Sequence, residues 1–326
     1  MIGSKPRAWT TTFAGLLATA LAATPALPSP DVVVAPQVQA PRNLRTERVL
    51  DPAALDGLGV PRPTRLAFDA DGALYILDTE SRRVAKLDPR GGPAGTLGGY
   101  GQDESSFSLP SDIAIDARQS LLVLDRGRNE LVAFDRFGQY LGGRPMGGSV
   151  AAEILDPRTR LRVDPFGSLW LLAPSERDLV PLDERLERAR STPFLAPRDS
   201  VVAPVAAAFL PLGGVCVHDA GGEVLRFFTA SGTLQRSVLP GDSTTAAAPT
   251  DVAVDVSGYV YVADAAGQRV LVYSPEGTLL LDRALGGEGS RWRPVAIAVG
   301  PNDRMAVADP VRGEIQIFSI ERGAAP

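Results

Sequence analysis

The sequence predicts an all-β fold, a six-bladed β-propeller of four-stranded antiparallel blades, and three observations predict it. Glycine (33) and proline (28) together make up about 19% of the 326 residues, so turns are frequent and strands short. One pattern then recurs six times: a proline, an apolar strand ending in Asp, a Gly turn, a second apolar strand ending in Asp, and a third strand. The copies are evenly spaced. Anchored on Asp69, Asp116, Asp164, Leu210, Asp255 and Gly300, they follow one another at intervals of 47, 48, 46, 45 and 45 residues. A fourth strand follows in stretches such as Gly95–Gly98, Gly138–Leu141 and Thr278–Leu285. Four antiparallel strands repeated at that interval read as propeller blades, because a single blade cannot bury both its faces and a ring of blades can.

Residues 1–27 read as an export segment. Lys5 and Arg7 form a positive start, Ala8 to Pro30 carries no charge, and Phe13 to Ala23 is the most apolar stretch. Ala20 and Ala22 fit a small-residue cleavage site. The segment is expected to be a cleaved signal peptide, with an uncleaved signal-anchor as the rival. The chain's single cysteine is Cys216, so no cysteine follows the apolar stretch to be acylated. Residues 28–43, with Pro28, Pro30, Pro36 and Pro41, are expected to be an extended tether. The propeller is placed at 44–320 and a tail at 321–326. The signal pattern, with 31 arginines against two lysines, suggests a bacterial protein from a GC-rich genome, located in the periplasm or secreted.

The first blade runs from Pro63 through Asp69, Gly72 and Leu74–Asp78 to Arg83–Asp88. The second has Pro110–Asp116, Leu121–Asp125 and Leu131–Asp135. The third is degenerate, with Leu161–Asp164, Gly167 and Leu169–Leu172. The fourth keeps Pro204, Gly213 and Val215–Asp219, and the fifth is the clearest, with Pro249–Asp255, Gly258, Val260–Asp264 and Arg269–Tyr273. The sixth has Pro294–Val299, Met305–Asp309 and Ile315–Phe318, then runs out after its third strand. Leu44–Leu50 precedes the first blade and reads as the missing strand, so the N-terminus is expected to close the ring.

These units resemble NHL repeats over about residues 44–320. The matching elements are Pro-x-x-apolar-Ala-apolar-Asp, x-x-Gly, apolar-Tyr-apolar-x-Asp, and Arg-Val with a final aromatic before Gly. WD40 repeats fit less well, since there is no Trp-Asp dipeptide and one histidine cannot supply a Gly-His to each blade. Kelch repeats would place a glycine pair where this chain mostly has Asp. The resemblance implies an interaction platform with no chemistry common to the family, and fold alone does not fix function.

The recurring Asp78, Asp125, Asp219, Asp264 and Asp309 end the second strand of five blades and are expected to hold turns through backbone hydrogen bonds. The same holds for Asp69, Asp116, Asp164 and Asp255 before the first hairpin. The residue four before each anchor varies by blade: Arg65, Asp112, Arg160, Ala206, Asp251 and Ala296. It starts the innermost strand and should face the channel mouth. Blades two and five are opposite, so Asp112 and Asp251 should face one another, with Arg65 and Arg160 beside Asp112. Two outcomes follow: an Arg–Asp network satisfied within itself, or a site for a polar ligand or a divalent cation. His218 is expected to be a structural neighbour of Asp219, and no Gly-x-Ser-x-Gly elbow supports a triad around it. Cys216 lies in an apolar strand and should be core. The charged run around Glu176, Arg177, Asp178, Glu184 and Arg185 in the degenerate blade reads either as a solvated blade edge or as a protein-docking surface.

A net charge of −5 excludes nucleic-acid binding by bulk charge, and one histidine with one cysteine excludes Cys- or His-cluster metal sites. No catalytic residue is assigned and no cofactor is expected. The function expected is a non-enzymatic, exported binding and assembly module, an accessory subunit docked on a larger envelope or membrane complex. Its partners would be proteins, and it would touch the membrane only through an uncleaved N-terminus or a partner. The alternative is a cation-dependent hydrolase or lyase. Related propellers include gluconolactonase-type hydrolases, which bind a divalent cation through carboxylates and Asn. They also include peptidylamidoglycolate lyases and virginiamycin B lyase, which rely on histidines.

Overall fold

A computed structural model describes residues 42–190, 193–197, 200–241, 247–286 and 291–322. The export segment and most of the tether lie outside the described residues. Blade one contains β2 (Arg65–Phe68), β3 (Leu74–Asp78), β4 (Arg83–Leu87) and β5 (Pro93–Gly98). Blade two contains β6 (Pro110–Ile115), β7 (Leu121–Asp125), β8 (Glu130–Phe134) and β9 (Tyr140–Pro145). Blade three has β10 (Arg160–Val163), β11 (Leu169–Ala173) and β12 (Asp178–Pro181). Blade four has β13 (Pro204–Phe209), β14 (Val215–Asp219), β15 (Val224–Phe228) and β16 (Leu234–Val238). Blade five has β17 (Pro249–Val254), β18 (Val260–Asp264), β19 (Arg269–Tyr273) and β20 (Leu279–Ala284). Blade six joins β21 (Ala296–Gly300), β22 (Arg304–Asp309) and β23 (Glu314–Arg322) to β1 (Arg42–Leu50). Every pairing within these sheets is antiparallel and follows chain order, except at the closure.

The six-bladed ring expected from the sequence is therefore the observed fold, and so is its closure. β1 pairs with β23 from Arg42↔Arg322 to Leu50↔Ile315, and it begins two residues earlier than expected and ends at the expected Leu50. Leu44 and Leu50 are buried on this strand. Arg42 also reaches blade five, with Nη2 3.3 Å from Asp255 Oδ2 and its guanidinium 3.8 Å from the centre of the Tyr259 ring. Blade three departs from the expected four strands, keeping a three-stranded sheet. After β12 the chain carries Pro193 and Pro197, which have no N–H to donate to a ladder. Among the described residues up to β13 only isolated bridges follow, Leu182↔Arg188 and Ala196↔Thr233. Two six-residue helices, α1 (Pro52–Gly57) and α2 (Gly148–Glu153), sit in loops. No helix among the described residues is long and apolar enough to cross a membrane.

The core is divided among the blade interfaces. Six apolar clusters form, one between each pair of neighbouring blades, including one that joins Ala306 and Ile315 of blade six to Ile76 and Ala85 of blade one. The second strands show why: β3, β7, β14 and β18 are buried at every position, because both faces of each sheet meet a neighbour. The hairpin after each innermost strand is set by its Asp. Asp69 Oδ1 accepts from Asp71 N at 3.1 Å and Ala73 N at 2.8 Å, and Gly72 takes a φ of +90° that closes the turn. These hairpins lie at one end of the channel, and the repeat prolines lie at the other.

Candidate functional site at the channel mouth

The carboxylates that end the second strands are anchors for backbone. Asp78, Asp125, Asp219, Asp264 and Asp309 are fully buried. Each accepts N–H groups from the loop that leads into its own blade. Asp125 takes Ser108 N at 2.6 Å and Leu109 N at 2.9 Å, and Asp309 takes Arg293 N at 2.6 Å. Most also accept from the turn that follows, as Asp78 does from Glu80 N at 2.8 Å. Blade three has Ala173 at this position, and its cross-strand partner Asp178 takes over. Asp178 accepts from Phe194 N and Leu195 N, both at 2.8 Å. This corrects the docking surface expected around Asp178. That side chain is buried and committed to the backbone, whereas Arg177, Glu184 and Arg185 are exposed and Glu176 is paired with Arg188 at 3.4 Å.

One layer of polar contacts crosses the channel near the start of the innermost strands. Its centre is Arg162, which the sequence reading did not single out. Arg162 Nη1 donates to Asp112 Oδ2 at 3.0 Å, and Nη2 lies 3.4 Å from Asp251 Oδ1. Its Nε donates to the carbonyl of Ala207 on blade four. Asp112 Oδ2 also accepts from Leu161 N of blade three at 2.8 Å, and Asp112 Oδ1 lies 3.5 Å from Arg65 Nε of blade one. Asp251 Oδ2 accepts from Ile297 N of blade six at 3.1 Å. The layer thus has a member on every blade. The two carboxylates do a task the fold requires, because innermost strands are sheet edges whose channel-facing N–H groups have no ladder partner.

Of the four residues expected at the mouth, Asp112, Asp251 and Arg65 belong to this layer. Arg160 stands beside it, donating among the described residues to the carbonyls of Pro157 and Thr159, both at 3.3 Å. Burial, together with the positive charges of Arg65 and Arg162, pushes the Arg160 guanidinium down to about 10. Burial likewise raises Asp251, against the pull of Arg162 and Arg65. Below the layer, towards the hairpin end, the channel holds a cavity of about 270 Å³ whose ceiling includes Asp112, Arg162 and Asp251. Above it, the mouth opens into a pocket of about 520 Å³.

A divalent cation does not fit between Asp112 and Asp251, since the Arg162 guanidinium already holds that place. Among the described residues no three His, Cys, Asp or Glu side chains converge on a point. His218 is buried, burial lowers its pKa to about 4, and its Nδ1 has no hydrogen-bond partner among the described residues. Asp219 beside it accepts instead from Ala203 N at 2.7 Å and Arg226 Nε at 2.9 Å. Cys216 is fully buried and its thiol is pushed up to about 12, as a core residue would be.

No protein-family profile and no curated relative matches the sequence. Solved structures do resemble the fold. Virginiamycin B lyase from Staphylococcus aureus superposes with a TM-score of 0.62 at 10% identity, over 85% of this chain and 99% of that one. A gluconolactonase from Xanthomonas campestris gives 0.54 at 19% identity, over 88% and 99%. A luciferin-regenerating enzyme gives 0.58 at 16% identity, over 87% and 98%. At these identities the likeness establishes the six-bladed propeller and nothing about chemistry.

Proposed function

We propose that this chain is an exported, non-enzymatic binding module that takes its ligand or partner at the channel mouth. The observation that carries this is the pairing of both channel carboxylates, Asp112 and Asp251, with Arg162. Carboxylates engaged in this way hold blades together. Among the described residues they leave no cation cage at the channel, and they leave the mouth pocket above them as a concave, pre-formed surface. The NHL-like blade pattern agrees with an interaction platform. The uncharged stretch from Ala8 to Pro30 and the proline-rich tether agree with export and with attachment to a larger envelope or membrane assembly. In that assembly the chain is an accessory subunit with protein neighbours.

The second reading is a cation-dependent hydrolase or lyase, a reading with which the fold shared with propeller enzymes is consistent. Two measurements separate the readings. The first is native electrophoresis of gently solubilised membranes and soluble extract, with the chain located by mass spectrometry. The second is thermal unfolding and δ-gluconolactone hydrolysis with chelator and with added Mg²⁺, Ca²⁺, Mn²⁺ or Zn²⁺. Migration in a large assembly, with unfolding and turnover indifferent to cations, supports the binding module. A free chain whose hydrolysis needs a cation and is lost in the Asp112→Ala/Asp251→Ala double variant contradicts it.

A further inference from the structure

We propose that the mouth pocket is a site for an amphiphilic organic anion: a carboxylate or phosphate head held by Arg65, Arg126 and Arg160, and an apolar body lying against Val205, Val295 and Pro310. The proposal rests on the mouth being a binding site and adds the chemical class of what it binds. Three observations carry it.

The first is a charge imbalance. The pocket lining contains three arginines and no acidic side chain. With Arg162 just beneath, four guanidinium groups face two carboxylates, Asp112 and Asp251. Only Arg65 and Arg162 lie within ion-pair distance of those carboxylates. Arg126 and Arg160 have no carboxylate at that distance among the described residues. The Nε of Arg126 is buried without a hydrogen-bond partner among them. Unpaired guanidinium groups in one concave site are the complement of an anion, and their forked donors match a carboxylate or phosphate in two-point contact.

The second is that the remaining polar groups are mostly spoken for. The hydroxyls of Thr64, Ser111 and Thr250 donate to the backbone carbonyls of Leu77, Leu124 and Pro294, at 3.0, 3.2 and 2.6 Å. Each hydroxyl has a single proton to give. The pocket's free donors are therefore chiefly guanidinium groups, which select charge over a neutral polar group.

The third is the asymmetry of the ring. The arginines come from blades one, two and three, whereas Val205, Val295 and Pro310 come from blades four and six. One side of the pocket is cationic and the other apolar. The like charges of Arg65 and Arg162, together with burial, already depress Arg160, and an anion in the pocket would relieve that repulsion.

The test is isothermal titration of the purified chain at low ionic strength with sodium octanoate, inorganic phosphate and octyltrimethylammonium. Octanoate is expected to bind one per chain, at least tenfold more tightly than phosphate, and the cation not at all. Arg126→Ala and, separately, Val205→Asp are each expected to weaken octanoate at least fivefold while keeping the parent's melting temperature. These two positions lie on different blades, one on the cationic and one on the apolar side of the pocket, and outside the channel-crossing layer, so each remains informative if the other fails to fold. Absence of octanoate binding, or binding indifferent to both substitutions, overturns the anion site. Phosphate binding as tight as octanoate overturns the apolar half. Cation-dependent hydrolysis would overturn the binding-module reading yet leave this titration unchanged, so the two claims fail separately.

Discussion

Arg162 and Asp251 belong to blades three and five, yet Arg162 Nη2 lies 3.4 Å from Asp251 Oδ1. The same guanidinium donates to Asp112 of blade two at 3.0 Å and to a carbonyl of blade four. One side chain therefore spans the channel and ties together blades that share no sheet. Both carboxylates also accept an edge-strand N–H from the next blade. Residues that could be taken for a catalytic pair are accounted for by closure of the ring.

The N-terminal strand should matter in proportion to what it buries. Leu44 and Leu50 are each almost fully buried, in the clusters between blades five and six and between six and one. Leu44→Ala or Leu50→Ala should cost about 2–5 kcal/mol in urea unfolding, since each leaves a cavity. Deletion of residues 42–50 should lower the melting temperature sharply. An unchanged melting temperature on deletion would show that the ring closes without β1.

His218 offers a clean pH test because it is the chain's only histidine. Burial lowers its folded pKa to about 4, against about 6.5 when unfolded. The folded state thus resists taking the proton. The stability this residue contributes is complete above pH 6.5 and drains away as pH falls through the window down to about 4, by about 3 kcal/mol in all. The imidazole proton resonances should not shift between pH 8 and 5.5. A titration midpoint near 6.5 would contradict the burial and reopen a role as a general base.

Cys216 should be silent towards thiol reagents in the native protein. Its thiol is fully buried and raised to about 12, so the reactive thiolate is scarce and shielded. Reaction with a disulfide reagent at pH 8 should begin only on addition of denaturant. Stoichiometric labelling within minutes under native conditions would contradict this.

The strand-ending carboxylates should be costly to remove. Asp264 is fully buried and accepts from Ala248 N at 2.8 Å and Arg269 Nε at 2.8 Å. Asp264→Ala removes one of the two carboxylates that pair with the largely buried Arg269, leaving Asp282 at 2.5 Å, and it leaves the backbone donors of Ala248 and Gly267 unpaired, so it should cost about 2–4 kcal/mol. A loss below 1 kcal/mol in chemical unfolding would show that water or a rearranged loop replaces it.

The blades were legible in the sequence because their Pro, Gly and Asp punctuation repeats at nearly constant spacing. The closing strand was legible because blade six ends one strand short. The channel centre was only half legible. Asp112 and Asp251 stand out at the position four before the anchor, but Arg162 sits two before it. Its counterparts there are Ala67, Ala114, Ala208, Ala253 and Ala298, so a long cation among five alanines was the available signal. Arg126 is similar, following Asp125 where the other blades have Thr79, Ala220, Ala265 and Pro310. Asp178 was misread because its role moved across a strand pair, from the end of β11 to the start of β12. Such a move is visible in register and invisible in linear spacing.

The central claim is that Arg162 and the channel carboxylates form a structural tie, and a double-mutant cycle on Arg162 and Asp251 tests it most directly. Arg162→Met, Asp251→Asn and the double variant would be compared with the parent in urea unfolding. The account predicts that the single costs do not add, with a coupling of about 1–3 kcal/mol between the two sites. Additivity to within about 0.5 kcal/mol would mean that the two residues do not support one another, and the channel carboxylates would again be free for another task.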